Sequence, residues 1–200
     1  MTSGVEISFV TSNRGKVLSL ESQLKDSDFI LKQIVLKGLY EIQSSSLKEI
    51  AIRKAECAYE KIRTPLVVSD SGLFIDALNG FPGTNTKYCQ ETLGVKGIVK
   101  LMEDKSDKTC YLDNILVFTP DGNKFYPFVG KVFGSIAEKV SNNKNPRSWG
   151  AIWSIFIPKT ANRTIVELGE REYQTIREKA QVRSVWVDFR NFLEEFYGKN

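Results

Sequence analysis

The chain has 200 residues, of which 42% are hydrophobic and 26% are charged, and this composition is typical of a globular protein of one domain. Its net charge of +4 comes from lysines and arginines that are scattered along the chain, so no basic run indicates a nucleic-acid-binding surface. The absence of histidine excludes Ser-His-Asp and Cys-His catalysis and leaves carboxylates, lysines and hydroxyl groups for any chemistry.

The opening residues and the cysteines indicate a protein of the cytoplasm. No run approaches the roughly 18 to 20 apolar residues that span a bilayer, and residues 1–10 lack the basic region and apolar run of a secretion signal. Cys57, Cys89 and Cys110 are odd in number and widely spaced, which favours buried free thiols over a zinc site or a disulfide framework. We therefore expect a cytoplasmic protein.

The first part of the chain alternates strand and helix patterns. Residues 6–11 form an apolar strand candidate, and a polar turn then leads to Val17, Leu20 and Leu24 at helical spacing. Residues 29–36 predict a second strand. The sequence therefore begins as a strand, a loop, a helix and a further strand.

A second helix and a buried strand follow. Ser46 and Glu49 form a capping-box pattern, and the helix that it starts should end near residues 63–65, because the residue before a proline disfavours helix. The apolar residues 66–68 predict a buried strand that ends at the polar residues 69–72.

The second half combines antiparallel strands with two further helices. In order, we predict a helix over residues 89–102, a hairpin of residues 110–118 and 125–136 around Asp121-Gly122, a strand over residues 152–157 and a long closing helix over residues 170–197. The fold class is therefore α/β, with a long mixed twisted sheet and flanking helices. No repeat or long linker divides the chain, so we expect a single domain over residues 1–200.

A candidate phosphate site lies where the first strand meets the first helix. Thr11, Ser12 and Asn13 are small hydrogen-bonding residues, and Lys16 follows them by one helical turn. A helix N-terminus offers amide hydrogens and a favourable dipole to an anion. The segment lacks the longer glycine-rich run of a Walker A loop, so an N-cap with a surface lysine is the competing interpretation.

Two carboxylates are candidates for a metal site. Glu41 follows an apolar strand, and Asp70 comes after Val67 and Val68 in another. If both lie at one rim of the sheet, they suit Mg²⁺, which takes one or two protein carboxylates together with phosphate oxygens. One of them could also orient the attacking water. The competing interpretation is that each is an exposed loop acid.

Two further lysines could neutralise phosphate charge. Lys54 lies on the helix after Glu41, and Lys87 follows a loop rich in turn residues and hydroxyl groups. Taken singly, each lysine is more simply explained as a solvated surface residue. Only their occurrence together with the two acids favours phosphate binding.

Four segments together resemble the inosine triphosphate pyrophosphatase family. They are TSNRGK at 11–16, YEIQ at 40–43, SDSGLFIDALNGFPG at 69–83 and GKVFGSI at 130–136. The resemblance implies two lobes around a central cleft, Mg²⁺-dependent hydrolysis of ITP, XTP and dITP to monophosphate and diphosphate, and a homodimer.

The resemblance also implies roles for individual residues. Thr11, Ser12, Asn13 and Lys16 would hold the triphosphate together with Lys54 and Lys87, and Ser71 and Gly72 would complete the Asp70 loop. Glu41 and Asp70 would be linked to the metal, with Asp70 near the attacking water. Where the family often has a second acid, this chain has Ser69.

The second half departs from the family. In place of glycine–aromatic–glycine–aromatic–Asp–Pro–Ile–Phe the chain has residues 149–156, so a gapless match puts Trp153 at the aspartate. Trp149 or Trp153 could stack a base, although a tryptophan beside a strand is more often a core residue.

The Ser-His-Arg motif that reads the purine 6-keto edge in the family is missing. A gapless match places it at residues 177–179 and a match anchored on Phe192 places it at residues 183–185. The family's preceding lysine would then be Tyr173 or Lys179, and both registers stay open.

Two functions follow from this combination. The first is a Mg²⁺-dependent nucleoside triphosphate pyrophosphatase whose base preference is relaxed or altered, since lost hydrogen-bond donors lower selectivity. The second is a catalytically impaired relative that acts as a nucleotide-binding or dimerisation module. Neither involves a membrane or a specific nucleic acid.

Overall fold

A computed structural model describes residues 4–40, 42–179 and 184–198. Its strands are β1 (Val5–Val10), β2 (Phe29–Ile34), β3 (Leu66–Ile75), β4 (Pro82–Gly83), β5 (Thr109–Thr119), β6 (Tyr126–Ile136) and β7 (Phe156–Pro158). They form one seven-stranded sheet in the order β2-β1-β3-β5-β6-β7, with β4 paired to β3. β1 is parallel to β2 and β3, whereas the β3–β4 and β6–β7 pairs are antiparallel. The predicted mixed α/β fold is confirmed.

Six α-helices accompany the sheet in the described part of the chain. They are α1 (Arg14–Leu24), α2 (Leu47–Ile62), α3 (Thr86–Thr92), α4 (Gly94–Leu101), α5 (Glu170–Lys179) and α6 (Val185–Gly198). Short 3-10 helices span Asp76–Leu78, Ala151–Ser154 and Ile165–Glu167. No described helix is both long and apolar enough to cross a membrane.

The chain packs as two compact units. The first takes its described residues from 1–70, 114–129 and 183–200, and the second from 71–113 and 130–182. The single domain over residues 1–200 stays a prediction.

The first unit has an aromatic core beneath α6. Phe118 is fully buried, and its ring centroid lies 5.7 Å from that of Phe189 and 6.0 Å from those of Phe192 and Phe196. Rings in such edge-on and tilted contacts are favourable beyond the area that they bury. α6 is therefore fixed to the sheet by ring contacts at successive turns.

The second unit has its own apolar core. Its buried members include Leu73, Ile98, Met102, Trp153 and Phe156. Two of the three cysteines, Cys89 and Cys110, are buried there as free thiols, and burial raises the pKa of Cys110 to about 12.

Strand β3 is longer than the sequence predicts. The expected strand end at residues 69–72 is wrong, because β3 runs through these polar residues to Ile75. Its pairing with β1 reaches Val68, and its pairing with β4 begins at Leu73. The polar stretch therefore lies between the part of β3 that pairs with β1 and the part that pairs with β4.

Three other boundaries differ from prediction. The helix over residues 89–102 is two helices, because Gly94, the first residue of α4, has a φ of +72° and does not continue the right-handed helix of α3. The strand over residues 152–157 is a 3-10 helix followed by the three-residue β7. The long closing helix is also two helices, since Ser184 lies outside both and residues 180–183 are outside the described residues.

Candidate functional site

The loop between β1 and α1 is ordered by its own side chains. The Thr11 amide donates to the Ile34 carbonyl at 3.0 Å, and the Thr11 hydroxyl accepts from the Asn13 amide at 3.1 Å. Asn13 is the N-cap of α1, where its Oδ1 accepts from the Lys16 amide at 3.1 Å. No acidic residue occupies the first turn of α1, so the positive end of the helix dipole is not neutralised there.

Lys16 is buried rather than solvated. Only 8% of its surface is exposed, and its neighbours Gly15 and Val17 are buried as well. The predicted alternative of an N-cap with a surface lysine is therefore half right, since Asn13 caps the helix but Lys16 is not a surface residue. A charge at a helix N-terminus with little solvent around it is screened weakly, which favours an anionic ligand.

The polar part of β3 begins level with this loop. In the parallel register Val10 lies opposite Val68, so Thr11 and Ser69 come next on neighbouring strands, which are about 4.8 Å apart in a sheet. Ser69 is 6% exposed, and its hydroxyl has no hydrogen-bond partner among the described residues. Asp70 follows and is half-buried. The phosphate-loop residues and this carboxylate therefore belong to one part of the first unit.

Lys54 belongs to the same unit. It lies on α2 between the buried residues Ala51 and Ala58, three positions after the first and four before the second, and it is itself half-buried. Residues at these spacings share one face of a helix. Its stem is therefore on the side of α2 that faces the core.

The chemistry of the donor set agrees with a magnesium ion only in part. Glu41 lies outside the described residues, and among the residues that are described no group of three or more acids, cysteines or histidines could hold a metal. Mg²⁺ does not need such a group, because one or two carboxylates and the phosphate oxygens of a substrate suffice. Asp70, level with the α1 loop, meets that requirement.

Ser71 and Gly72 belong to the second unit, where a close backbone approach fixes β3. A Cβ atom on Gly72 would lie 2.6 Å from the carbonyl oxygen of Gly83, so only glycine fits. The Thr86 hydroxyl accepts from the Leu73 amide at 2.7 Å and donates to Gly83 O at 2.6 Å. No sequence pattern singles out Thr86, whose hydroxyl joins β3 to the start of α3.

Lys87 is the second residue of α3 and is largely in solvent. Its side chain is 84% exposed, and its Nζ lies 4.0 Å from Glu91 Oε1 one helical turn away. An exposed pair of this kind contributes little to stability. Its predicted phosphate contact stays a prediction.

The two tryptophans of the altered segment differ in exposure. Trp153 is 5% exposed and belongs to the core, with its ring 5.6 Å from that of Trp149 and 5.5 Å from that of Tyr173. Trp149 is half-buried and packs against the same core. Lys179 is the last residue of α5, and its side chain lies outside the described part of the structure.

Sequence reasoning also missed Gln90. This α3 residue accepts from the Ile152 amide at 3.1 Å and donates to the Thr86 carbonyl at 3.4 Å. A glutamine within an amphipathic helix gives no sequence signal for such a contact, because its partner lies 62 positions away.

Residues 7–184 match the model of the Ham1 family. Over 196 residues the chain is 36% identical to a dITP/XTP pyrophosphatase of Saccharolobus solfataricus, with 98% of this chain and 97% of that protein covered. It is 32% identical over 186 residues to a dITP/XTP pyrophosphatase of Pyrococcus horikoshii, with 92% and 96% covered.

Two solved structures share the fold. A HAM1 protein from Coxiella burnetii matches with a TM-score of 0.76 at 24% identity, covering 96% of this chain and 99% of that one. The Ham1 protein of Staphylococcus aureus matches with a TM-score of 0.69 at 20% identity, covering 98% and 100%. At these identities the likeness shows the fold alone.

Proposed function

The chain belongs to the Ham1 family, and from this membership we propose that it is a nucleoside triphosphate pyrophosphatase. The reaction would release diphosphate and a nucleoside monophosphate. The relatives named dITP/XTP pyrophosphatase cover almost the whole chain, and they support a hydrolase of nucleotide metabolism. The resemblance that the sequence motifs predict is thereby confirmed at the level of the family.

The α1 loop is proposed to hold the phosphates. The first-turn amides of α1 would donate to phosphate oxygens, and Ser12 would add a hydroxyl donor. Lys16 and Lys54 would offset the negative charge that grows on the departing diphosphate. Lys87 is assigned to phosphate binding by the family resemblance.

Asp70 is proposed to accept the proton of the attacking water. Its carboxylate is half-buried and lies level with the phosphate loop, which suits a general base. Mg²⁺, held by Asp70 and Glu41, would supply charge neutralisation on the triphosphate oxygens. Proton transfer itself needs only the carboxylate and a water.

The base preference is proposed to be relaxed or altered. In the gapless register the family's aspartate is Trp153 and its lysine is Tyr173, and these two rings lie 5.5 Å apart. Where the family has an acidic and a basic side chain, this chain therefore has two contacting aromatic rings. Because these two rings do not offer a base edge the hydrogen bonds that Ser-His-Arg would, we expect the remaining preference among bases to come from stacking on Trp149.

One observation supports the proposal most directly. The buried Lys16 and the Asn13-capped start of α1 lie level with the Ser69-Asp70 stretch of β3. A buried cation, a helix N-terminus and a neighbouring carboxylate are the groups that triphosphate hydrolysis requires.

The test is diphosphate release from ITP, XTP, dITP, dUTP and the ordinary triphosphates with Mg²⁺. We expect turnover that falls at least about 100-fold in Asp70→Asn, since this change removes the base. Asp76→Asn is the matched control, because Asp76 lies six residues later and its carboxylate accepts from the Thr109 hydroxyl at 2.7 Å. Turnover no higher than that of Asp70→Asn on every triphosphate would contradict the proposal.

The burial of Trp153 at the family's acidic position favours a second candidate. In that case the chain is a nucleotide-binding or dimerisation module without turnover. It would bind triphosphates in calorimetry while releasing no diphosphate.

Analytical ultracentrifugation tests the proposed homodimer, which would sediment with twice the 22.6 kDa of one chain.

A further inference from the structure

Gln90 links α3 to the segment that stands in place of the family's glycine–aromatic–glycine–aromatic–Asp–Pro motif. Its Oε1 accepts from the Ile152 amide at 3.1 Å, and its Nε2 donates to the Thr86 carbonyl at 3.4 Å. A Cβ atom on Gly150 would lie 3.1 Å from the same Oε1. The amide group therefore lies directly against the backbone of Gly150 and Ile152.

The turn formed by residues 148–154 carries both tryptophans. Within it the Ser148 hydroxyl donates to the Gly150 carbonyl at 2.8 Å, and the Trp153 amide donates to the same carbonyl at 3.2 Å. These bonds shape the turn but do not attach it to another element. The Ser154 carbonyl accepts from the Ser141 amide at 2.9 Å, and Gln90 attaches the turn to α3 at Ile152, next to the anchored Trp153 and three residues after Trp149.

The Ile152 amide depends on this contact. Ile152 is 4% exposed, and a buried N–H without an acceptor is costly enough to shift the backbone that carries it. A shift at Ile152 would move Gly150 and Trp149, because Trp153 is held by the core. The phosphate-loop residues lie between β1 and α1 and at the start of α1, and none of the hydrogen bonds described here involves them.

We propose that Gln90 is a positioning residue for nucleobase selectivity, which acts by holding residues 148–154 on α3 and so orienting the Trp149 ring. This inference rests on the proposed nucleotide function. It assigns selectivity to a hydrogen bond between a helix side chain and the turn backbone, and it does not require Gln90 to touch the base.

The test compares four variants. Gln90→Met keeps the length of the side chain and removes both hydrogen bonds, whereas Gln90→Glu keeps the acceptor for Ile152. Gly150→Ala perturbs the contact from the other side, since its Cβ would press on Gln90 Oε1 while the extended φ of 163° suits alanine. Thr92→Ala is the matched control, because the Thr92 hydroxyl donates to the Tyr88 carbonyl within α3.

For Gln90→Met we expect KM values to rise about tenfold for the preferred triphosphates, with kcat within about twofold, so that selectivity between bases falls. Gly150→Ala should change the selectivity in the same direction and add little in the double variant. Gln90→Glu and Thr92→Ala should retain the wild-type ranking of bases.

Binding of triphosphates with a methylene bridge between the α- and β-phosphorus, followed by tryptophan fluorescence, gives a readout without turnover. If the wild type binds these analogues but hydrolyses none of the natural triphosphates, the pyrophosphatase proposal fails. The Gln90 inference is then judged on the ranking of dissociation constants among the bases. Any one of three results overturns the inference. These are an unchanged ranking of bases in both Gln90→Met and Gly150→Ala, an equal loss for all bases through kcat, and no nucleotide binding by the wild type. If Gln90→Met does not fold, Gly150→Ala alone decides it.

Discussion

Burial separates lysines that look alike in the sequence. Lys16 is 8% exposed, Lys54 is half-buried on the inner side of α2, and the Lys87 side chain is 84% exposed. A charge in contact with little water acts on a bound anion through a lower effective dielectric than a solvated charge does. The three lysines should therefore contribute unequally to triphosphate binding.

Replacing Lys16 should weaken triphosphate binding more than replacing Lys87. For Lys16→Met we expect a loss of about 30-fold or more in affinity, whereas Lys87→Met should cost no more than about fivefold, because solvated charges contribute weakly. Isothermal titration with a non-hydrolysable triphosphate at two salt concentrations measures both. Equal losses would show that exposure in the ligand-free chain does not set these contributions.

At the scale of single elements, capping explains where several helices begin. Ser46 caps α2, and its hydroxyl accepts from the Glu49 amide at 3.3 Å, as the sequence pattern predicts. The Glu49 carboxylate does not complete the box, since it accepts instead from Ser44 at 2.6 Å. A complete capping box occurs at Thr164 and Glu167.

The Thr164–Glu167 box should make stability depend on acid. The Thr164 hydroxyl and amide donate to the Glu167 carboxylate at 2.6 and 2.9 Å, and the hydroxyl bond above all lowers the pKa of Glu167 below its ordinary value of 4.5. A depressed carboxylate pKa stabilises the fold above the unfolded-state pKa, and this stability is lost as the pH falls through the folded-state pKa.

The prediction is tested with Glu167→Gln. The wild type should be the more stable protein near about pH 6, and its advantage should shrink toward about pH 3, as measured by urea unfolding midpoints. Glu138→Gln is a comparison in the same unit at an exposed position. An advantage that stays constant over this range would contradict the assignment.

Hydrophobic periodicity predicts a strand or helix well where one neighbouring element determines its extent, and poorly where several neighbours do. The apolar runs of β1 and β2 predicted correct strands, and the helical spacing of the buried Val17, Leu20 and Leu24 predicted α1. The polar residues 69–72 suggested a strand end, yet β3 continues through them to its pairing with β4. Such pairing is set by distant residues and leaves no local pattern.

The residues of the candidate site also fall into those that a local pattern predicts and those that it does not. Asn13 and Lys16 could be predicted because a strand–loop–helix junction is a local feature with its own chemistry. Thr86 and Gln90 could not, since their partners are backbone groups on other elements. The burial of Trp153 was the more ordinary of two stated interpretations, and only its contact with Tyr173 explains how the fold accommodates it.

At the scale of the whole molecule, the absence of histidine sets the response to pH. A chain without imidazole groups has no side chain whose ordinary pKa lies between those of the carboxyl groups and the thiols. The described carboxylates with resolved shifts, Asp107, Asp121, Glu167 and Glu172, all have a lowered pKa, which moves their titration further from neutrality.

Stability should therefore be nearly constant near neutral pH. Between about pH 5.5 and about pH 7 the folded and unfolded chains bind almost equal numbers of protons, so the urea midpoint should not change measurably. A pH below this range should lower the urea midpoint, because the carboxylates with a lowered pKa then become protonated. A midpoint that rises or falls steadily across this window would reveal a perturbed group among the acids or the thiols.

The glycine at position 72 has a consequence for attempts to change base preference by random mutagenesis. Because its missing Cβ leaves room for the Gly83 carbonyl 2.6 Å away, a diversified library should return glycine alone at this codon, whichever nucleotide the selection uses. Gly94 also has a positive φ, but an added Cβ would meet no neighbouring atom, so this position should accept asparagine. Library diversity is therefore better placed at Gln90, Trp149 and Gly150, where a substitution alters the contacts proposed to orient the Trp149 ring.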